Sequence, residues 1–127
     1  IGYLIYEYTK GDYTLNDAVD FTDGDRQYDM TENEEVTADL GVMGGEGSTL
    51  AIAGNGFAIN GNGFEGITVA DGQTLDINNV QSMNGFGTSA VSIDDGGLAN
   101  IADSTFTNNG SDIISGVIIK FFSNFLC

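Results

Sequence analysis

Gly66-Ile67-Thr68-Val69-Ala70-Asp71-Gly72-Gln73-Thr74-Leu75-Asp76-Ile77 is repeated, at an offset of 24, by Ala90-Val91-Ser92-Ile93-Asp94-Asp95-Gly96-Gly97-Leu98-Ala99-Asn100-Ile101. Ile67 falls on Val91, Val69 on Ile93, Asp71 on Asp95, Gly72 on Gly96, Leu75 on Ala99 and Ile77 on Ile101. One unit earlier, at an offset of 25, Glu46-Gly47 precedes Leu50 and Ile52, and Val42 matches Ile67. A fixed period within about 20–50 residues signals a solenoid or an array.

Each unit holds two short alternating stretches, Ile67-Thr68-Val69 and Leu75-Asp76-Ile77 in the middle copy, separated by an acidic-Gly turn. Alternation with period two puts Ile67 and Val69 on one face, and Leu75 and Ile77 likewise. A unit this short cannot bury its own apolar face. Stacked units can, each strand pairing in parallel with the next copy about 4.8 Å away. A third apolar point follows at Phe57 in the first copy and Phe106 in the third, with Val80 or Met83 in that place in the second. The fold predicted is all-β: a short parallel β-helix of three to four coils with three faces per coil. Coils of about 24 residues, rather than strict hexapeptides, favour the right-handed kind.

The 127 residues make one domain by length. Lys plus Arg number 3 against 19 acidic residues, a formal charge of −16. Such a surface repels nucleic-acid phosphates and anionic lipid, so neither is an expected partner. No apolar run is long enough to span a bilayer as a helix. The single cysteine, Cys127, excludes an internal disulfide and a Cys-based zinc site. The sequence opens without Met and without a basic-then-apolar leader, which reads as a processed chain or an excerpt.

Along the chain, Ile1 to Thr9 alternates like a strand, and Lys10-Gly11-Asp12 is a turn. Leu15, Ala18 and Val19 form one helical stripe, with Thr14 or Asn16 as its cap. Arg26 to Met30 reads as a strand with Tyr28 and Met30 inward, and Thr31 to Glu35 as an acidic turn. The expected division is therefore a strand and helical cap over 1–41, coils over 42–66, 67–90 and 91–116, and the start of another at 117. There Val117 and Ile119 continue the Val91 and Ile93 column. Asn55, Asn60 and Asn62 each precede Gly, which is tight-turn chemistry compatible with positive φ. Residues 120–127 are far more apolar, and Phe121, Phe122, Phe125 and Leu126 are the expected assembly contact or cap of the stack.

Leu15-x-x-Ala18-Val19 followed by Asp23-Gly24-Asp25 and a strand resembles the amphipathic cap that opens pectate-lyase-like β-helices. Phe106-Thr107-Asn108-Asn109 and Phe57-Ala58-Ile59-Asn60 look like the Phe-x-x-Asn motif of bacterial adhesin-like and polymorphic outer-membrane proteins. Ser89-Ala90-Val91 and Ser115-Gly116-Val117 are loose versions of their Gly-Gly-Ala-Ile motif. The second copy departs, with Ser82 or Met83 in place of Phe. The resemblance covers residues 13 to 119. It implies a secreted or cell-surface module that binds a glycan or a host or cell-surface protein.

Glu46, Asp71 and Asp95 recur at equivalent places, which would stack them in a column with steps of about 5 Å. A calcium ion, which takes carboxylate and carbonyl oxygens, is the candidate cation for such a column. The plainer account is a row of solvated acidic-Gly turns. If calcium binds, it raises the melting temperature and Asp71→Asn blunts the rise; an unchanged melt in millimolar calcium sinks the idea. Gly44-Gly45-Glu46-Gly47 begins like a calcium-binding nonapeptide, but Thr49 stands where Asp is needed and no second copy follows.

No catalytic residue is expected. The chain has no histidine to serve as a general base. Its basic groups, Lys10, Arg26 and Lys120, lie at the ends of the sequence. Asp76 aligns with Asn100, and Asn79 with Asp103, so polar ladders account for these groups without catalysis. Asn109-Gly110-Ser111 fits the N-glycosylation pattern of a secreted eukaryotic chain. Three functions follow in order: an adhesin-like binding module, a subunit stacking end to end into a filament, and a degenerate polysaccharide lyase or hydrolase.

Overall fold

The computed structural model describes residues 14–21 and 24–110, and the backbone of 114–115 and 118–121. The predicted strand and turn over 1–12, and Phe122, Phe125 and Leu126, lie outside the described residues.

Among the described residues, one short helix, α1 (Leu15–Asp20), precedes thirteen strands: β1 (Arg26–Asp29), β2 (Glu34–Glu35), β3 (Gly41–Val42), β4 (Thr49–Ala53), β5 (Ala58–Asn60), β6 (Ile67–Val69), β7 (Thr74–Asn78), β8 (Ser82–Asn84), β9 (Val91–Ile93), β10 (Leu98–Ala102), β11 (Phe106–Thr107), β12 (Ile114–Ser115) and β13 (Ile118–Phe121). They form three sheets in the orders β1-β4-β7-β10-β13, β2-β5-β8-β11 and β3-β6-β9-β12. Every pair is parallel. The chain visits the three sheets in rotation, and β1 to β10 spans three turns of a parallel β-solenoid.

The core is the interior of the stack. In the first sheet, Leu50, Leu75 and Ala99 share one register position, and Tyr28, Ile52, Ile77 and Ile101 the next inward one. All are buried. In the second sheet the inward column is Ile59, Met83 and Phe106. In the third, Ile67 pairs with Val91 and Val69 with Ile93. Each column exists because period-two alternation sends every second side chain inward, and the repeat stacks like on like.

Four expectations change. First, the ladder begins before Val42: β1, β2 and β3 pair with β4, β5 and β6, so residues 26–42 already belong to the stack. Second, Val42 pairs with Thr68, not Ile67, and is the large apolar residue left 56% exposed; Met43 takes the inward place instead. The cause is a pair of corners: the one before β3 is a residue shorter than its counterpart before β6, and the one before β4 a residue longer than its counterpart before β7, so register shifts in β3 alone. Third, Phe57 is only partly buried, and Ile59 occupies the column with Met83 and Phe106. The two Phe-x-x-Asn runs are therefore not in register. Fourth, Ile114–Ser115 continues the Val91–Ile93 strand, whereas Ile119 pairs with Ala99 and Phe121 with Ile101. The period shortens in the last turn, so Lys120 and Phe121 are strand backbone of the first sheet.

Helix α1 closes the first turn. Thr14 caps it in a reciprocal box with Asp17. Leu15, Ala18 and Val19 are fully buried. The helix is tied to the first turn at three points: Leu15 N–H donates to Glu34 at 3.4 Å, Asn16 Nδ2 donates to the Ala38 carbonyl at 3.2 Å, and Gly44 N–H donates to the Val19 carbonyl at 2.8 Å.

At the end of the Leu50, Leu75 and Ala99 column stands Arg26, 8% exposed. Its guanidinium donates to the carbonyls of Ala18 (2.8 Å), Val19 (3.2 Å), Gly24 (2.9 Å) and Gly44 (2.9 Å), and to Ser48 Oγ (2.9 Å). Two of those carbonyls belong to the last turn of α1, which has no basic residue of its own there.

Candidate surface for binding

What the stack offers to solvent is set by the same alternation that builds its core. On the first sheet the outward residues are Gln27 and Asp29 on β1, Thr49, Ala51 and Ala53 on β4, Thr74, Asp76 and Asn78 on β7, and Leu98, Asn100 and Ala102 on β10. Ala51, Asp76 and Asn100 share a register row. Ala53, Asn78 and Ala102 share the next. Asn100 Nδ2 donates to Asp76 Oδ1 at 2.7 Å, between adjacent turns. Gln27 Nε2 donates to Asp29 Oδ1 at 2.7 Å along its strand. Asp29, Asp76 and Asn100 are thus held in place, beside the outward alanines Ala51, Ala53 and Ala102.

The second sheet carries another polar row, Glu35, Asn60 and Asn84. Asn60 Nδ2 donates to Glu35 Oε1 at 3.2 Å, and Asn62 Nδ2 donates to the same oxygen at 3.1 Å. Asn84 Nδ2 instead donates to Ser82 Oγ at 2.9 Å. At the corner between the two sheets, Asn55, Asn79 and Asp103 all have positive φ, at 53°, 58° and 51°. Short polar side chains tolerate this left-handed conformation. Asn79 and Asp103 are therefore corner residues, whereas Asp76 lies on the sheet face. Asn62 also has positive φ, as the Asn-Gly signal implies, but Asn60 ends β5 in extended backbone.

The acidic corner keeps its predicted register: the main-chain N–H groups of Ser48, Gln73 and Gly97 donate to the carbonyls of Gly45, Ala70 and Asp94 in three matching turns around Glu46, Asp71 and Asp95. Asp71 and Asp95 sit in matching turns, each followed by a positive-φ glycine, Gly72 at 81° and Gly96 at 87°. Asp71 leans along the stack, so that a Cβ at Gly96 would collide with its carboxylate. Glu46 lies in the longer corner, between Gly45 and Gly47, both with positive φ. Among the described residues, no three His, Cys, Asp or Glu side chains are grouped to hold a metal ion. The corner carbonyls are taken up from within: buried Gln73 donates through Nε2 to Met43 O (2.8 Å) and Gly45 O (3.0 Å).

Asn109, the first residue of the glycosylation pattern, uses its amide in the fold. Its Oδ1 accepts from Phe86 N–H at 3.0 Å and its Nδ2 donates to Met83 O at 3.1 Å. Among the assembly residues predicted, only Phe121 falls in a described strand, at the outer edge of the first sheet. Sequence reasoning missed Arg26 as a core residue. Continuing the offset of 24 backward from Leu50 would have placed it there.

Among the described residues, no helix is long and apolar enough to cross a membrane. No family model, curated protein or solved structure matches the chain.

Proposed function

We propose that this chain is a non-enzymatic, adhesin-like module of the cell surface or extracellular space, which binds a glycan or a protein through the outward face of its first sheet. The observation that carries the reading is the Asp76–Asn100 pair, held at 2.7 Å across adjacent turns beside Ala51, Ala53 and Ala102. Rows spaced by about 4.8 Å offer a rigid grid of acceptors and donors. Binding to a grid already ordered avoids much of the entropy cost of fixing side chains. The small alanines leave room for a ligand to reach it.

A glycan array followed by titration of the best ligand tests this. Asp76→Ala with Asn78→Ala is expected to weaken binding by about tenfold or more, the loss of one or two good hydrogen bonds. The melting temperature should stay within a few degrees, because both groups face outward. Undiminished binding by a folded double variant would move the site elsewhere.

A filament subunit is the second reading. It draws on β13, which is the edge of the first sheet, and on the apolar residues around Phe121. Against it, α1 already covers the opposite end. Light scattering across a concentration series separates the two. Growth in mass that vanishes on deleting 120–127 would favour the filament, and a constant monomer mass the binding module.

A further inference from the structure

Five asparagines precede glycine within the described residues: Asn55, Asn60, Asn62, Asn84 and Asn109. Such a step modifies itself. The glycine nitrogen attacks the asparagine Cγ, a C–N bond forms, the Cγ–Nδ2 bond breaks, and ammonia leaves with the proton from the glycine nitrogen. Water then opens the succinimide to aspartate or isoaspartate. Glycine favours the closure because no Cβ hinders it. The reaction needs a free glycine N–H and an asparagine side chain able to swing toward it.

The solenoid withholds both, unequally. Gly56 N–H donates to Asn79 O at 2.9 Å, Gly61 N–H to Asn84 O at 2.6 Å, Gly63 N–H to Gly85 O at 2.7 Å, and Gly110 N–H to Phe86 O at 2.8 Å and Thr88 O at 3.0 Å. In each case the bond crosses to a neighbouring turn. Gly85 N–H has the longest of these closest bonds, 3.2 Å to Asn108 O in the last turn with described side chains. The side chains also set Asn84 apart. Asn55, Asn62 and Asn109 each donate to a main-chain carbonyl of the preceding turn, at 2.9, 2.9 and 3.1 Å. Asn60 donates to the Glu35 carboxylate of the preceding turn at 3.2 Å. Asn84 donates only to Ser82 Oγ, two residues back on its own strand, a contact that moves with it.

We infer that Asn84 is the site at which the folded protein deamidates first, and that opening of the last turn, which frees Gly85 N–H, controls its rate. The other four steps are locked by both partners. Isoaspartate at position 84 adds a backbone atom at the end of β8 and displaces the Gly85 corner from its register with the neighbouring turns.

The test is a time course of the folded protein in mildly alkaline buffer beside the same protein in urea, read by peptide mass spectrometry that separates aspartate from isoaspartate. In urea all five steps should convert at similar rates. In the folded protein Asn84 should lead the other four by about tenfold or more, a factor that a modest difference in local opening free energy supplies. Asn84→Gln should remove this first wave and leave the other four rates unchanged. Another asparagine leading, five equal rates, or no conversion at Asn84 while the chain stays folded would each overturn the inference.

Discussion

Arg26→Ala is expected to lower the unfolding free energy by about 3–5 kcal/mol, a large share of what a domain of this size possesses. The side chain is 8% exposed and gives hydrogen bonds to four carbonyls and one hydroxyl. Hydrogen bonds from a charged donor contribute about 1.5–3 kcal/mol each, and part of that returns when water reaches the vacated carbonyls. The loss should be local in character. The carbonyls of Ala18 and Val19 lose the guanidinium that ties the helix to β1, although Val19 retains its bond from Gly44 N–H. Hydrogen exchange should therefore show α1 amides unprotected before those of β4 to β10. Arg26→Lys should recover little, since one ammonium cannot span carbonyls on both the helix and the Gly44 corner. An unchanged urea midpoint for Arg26→Ala would mean the arginine is incidental to the cap.

Gly66→Ala should be nearly as damaging, at about 3–4 kcal/mol, although it adds one methyl group. The backbone at Gly66 is not in the left-handed region, so conformational strain is not the cause. The cause is contact: a Cβ there would meet the carbonyl oxygens of Ser89 and Ala90 in the next turn. Those are main-chain atoms and cannot rotate away. To admit the methyl, the turns must separate, and the 2.8 Å bond from Ile67 N–H to Ala90 O is lost. Gly63→Ala is the control. Gly63 has φ of 84° with nothing within 4 Å of an added Cβ, so its cost is conformational alone, about 1–2 kcal/mol. Urea midpoints for the two variants decide the matter. If Gly66→Ala were no worse than Gly63→Ala, the close approach of turns at this corner would be wrong.

Both variants probe the seam between turns, and the seam is where sequence and structure part. The offset of 24 between Ile67-x-Val69 and Val91-x-Ile93 determined by itself that strands stack in parallel and that these side chains face inward, because alternation and repetition are local properties written in residue order. Leu15, Ala18 and Val19 likewise announced a helix with one buried face, and Thr14 its cap. The pairing of Asp76 with Asn100 on the candidate face followed from the same offset. What the pattern could not determine was whatever depends on the length of a corner. A shorter corner before β3 and a longer one before β4 turned Val42 outward and Met43 inward, while Glu46-Gly47 kept its place opposite Asp71-Gly72. A shorter last turn moved Ile119 from one sheet to another. Arg26 reads as a surface charge until three-dimensional packing surrounds it with carbonyls that only a buried cation can satisfy together. Period two fixes a residue's face only relative to its own strand. The register between strands is a property of the closed coil, so the tertiary structure alone decided which neighbour each side chain meets.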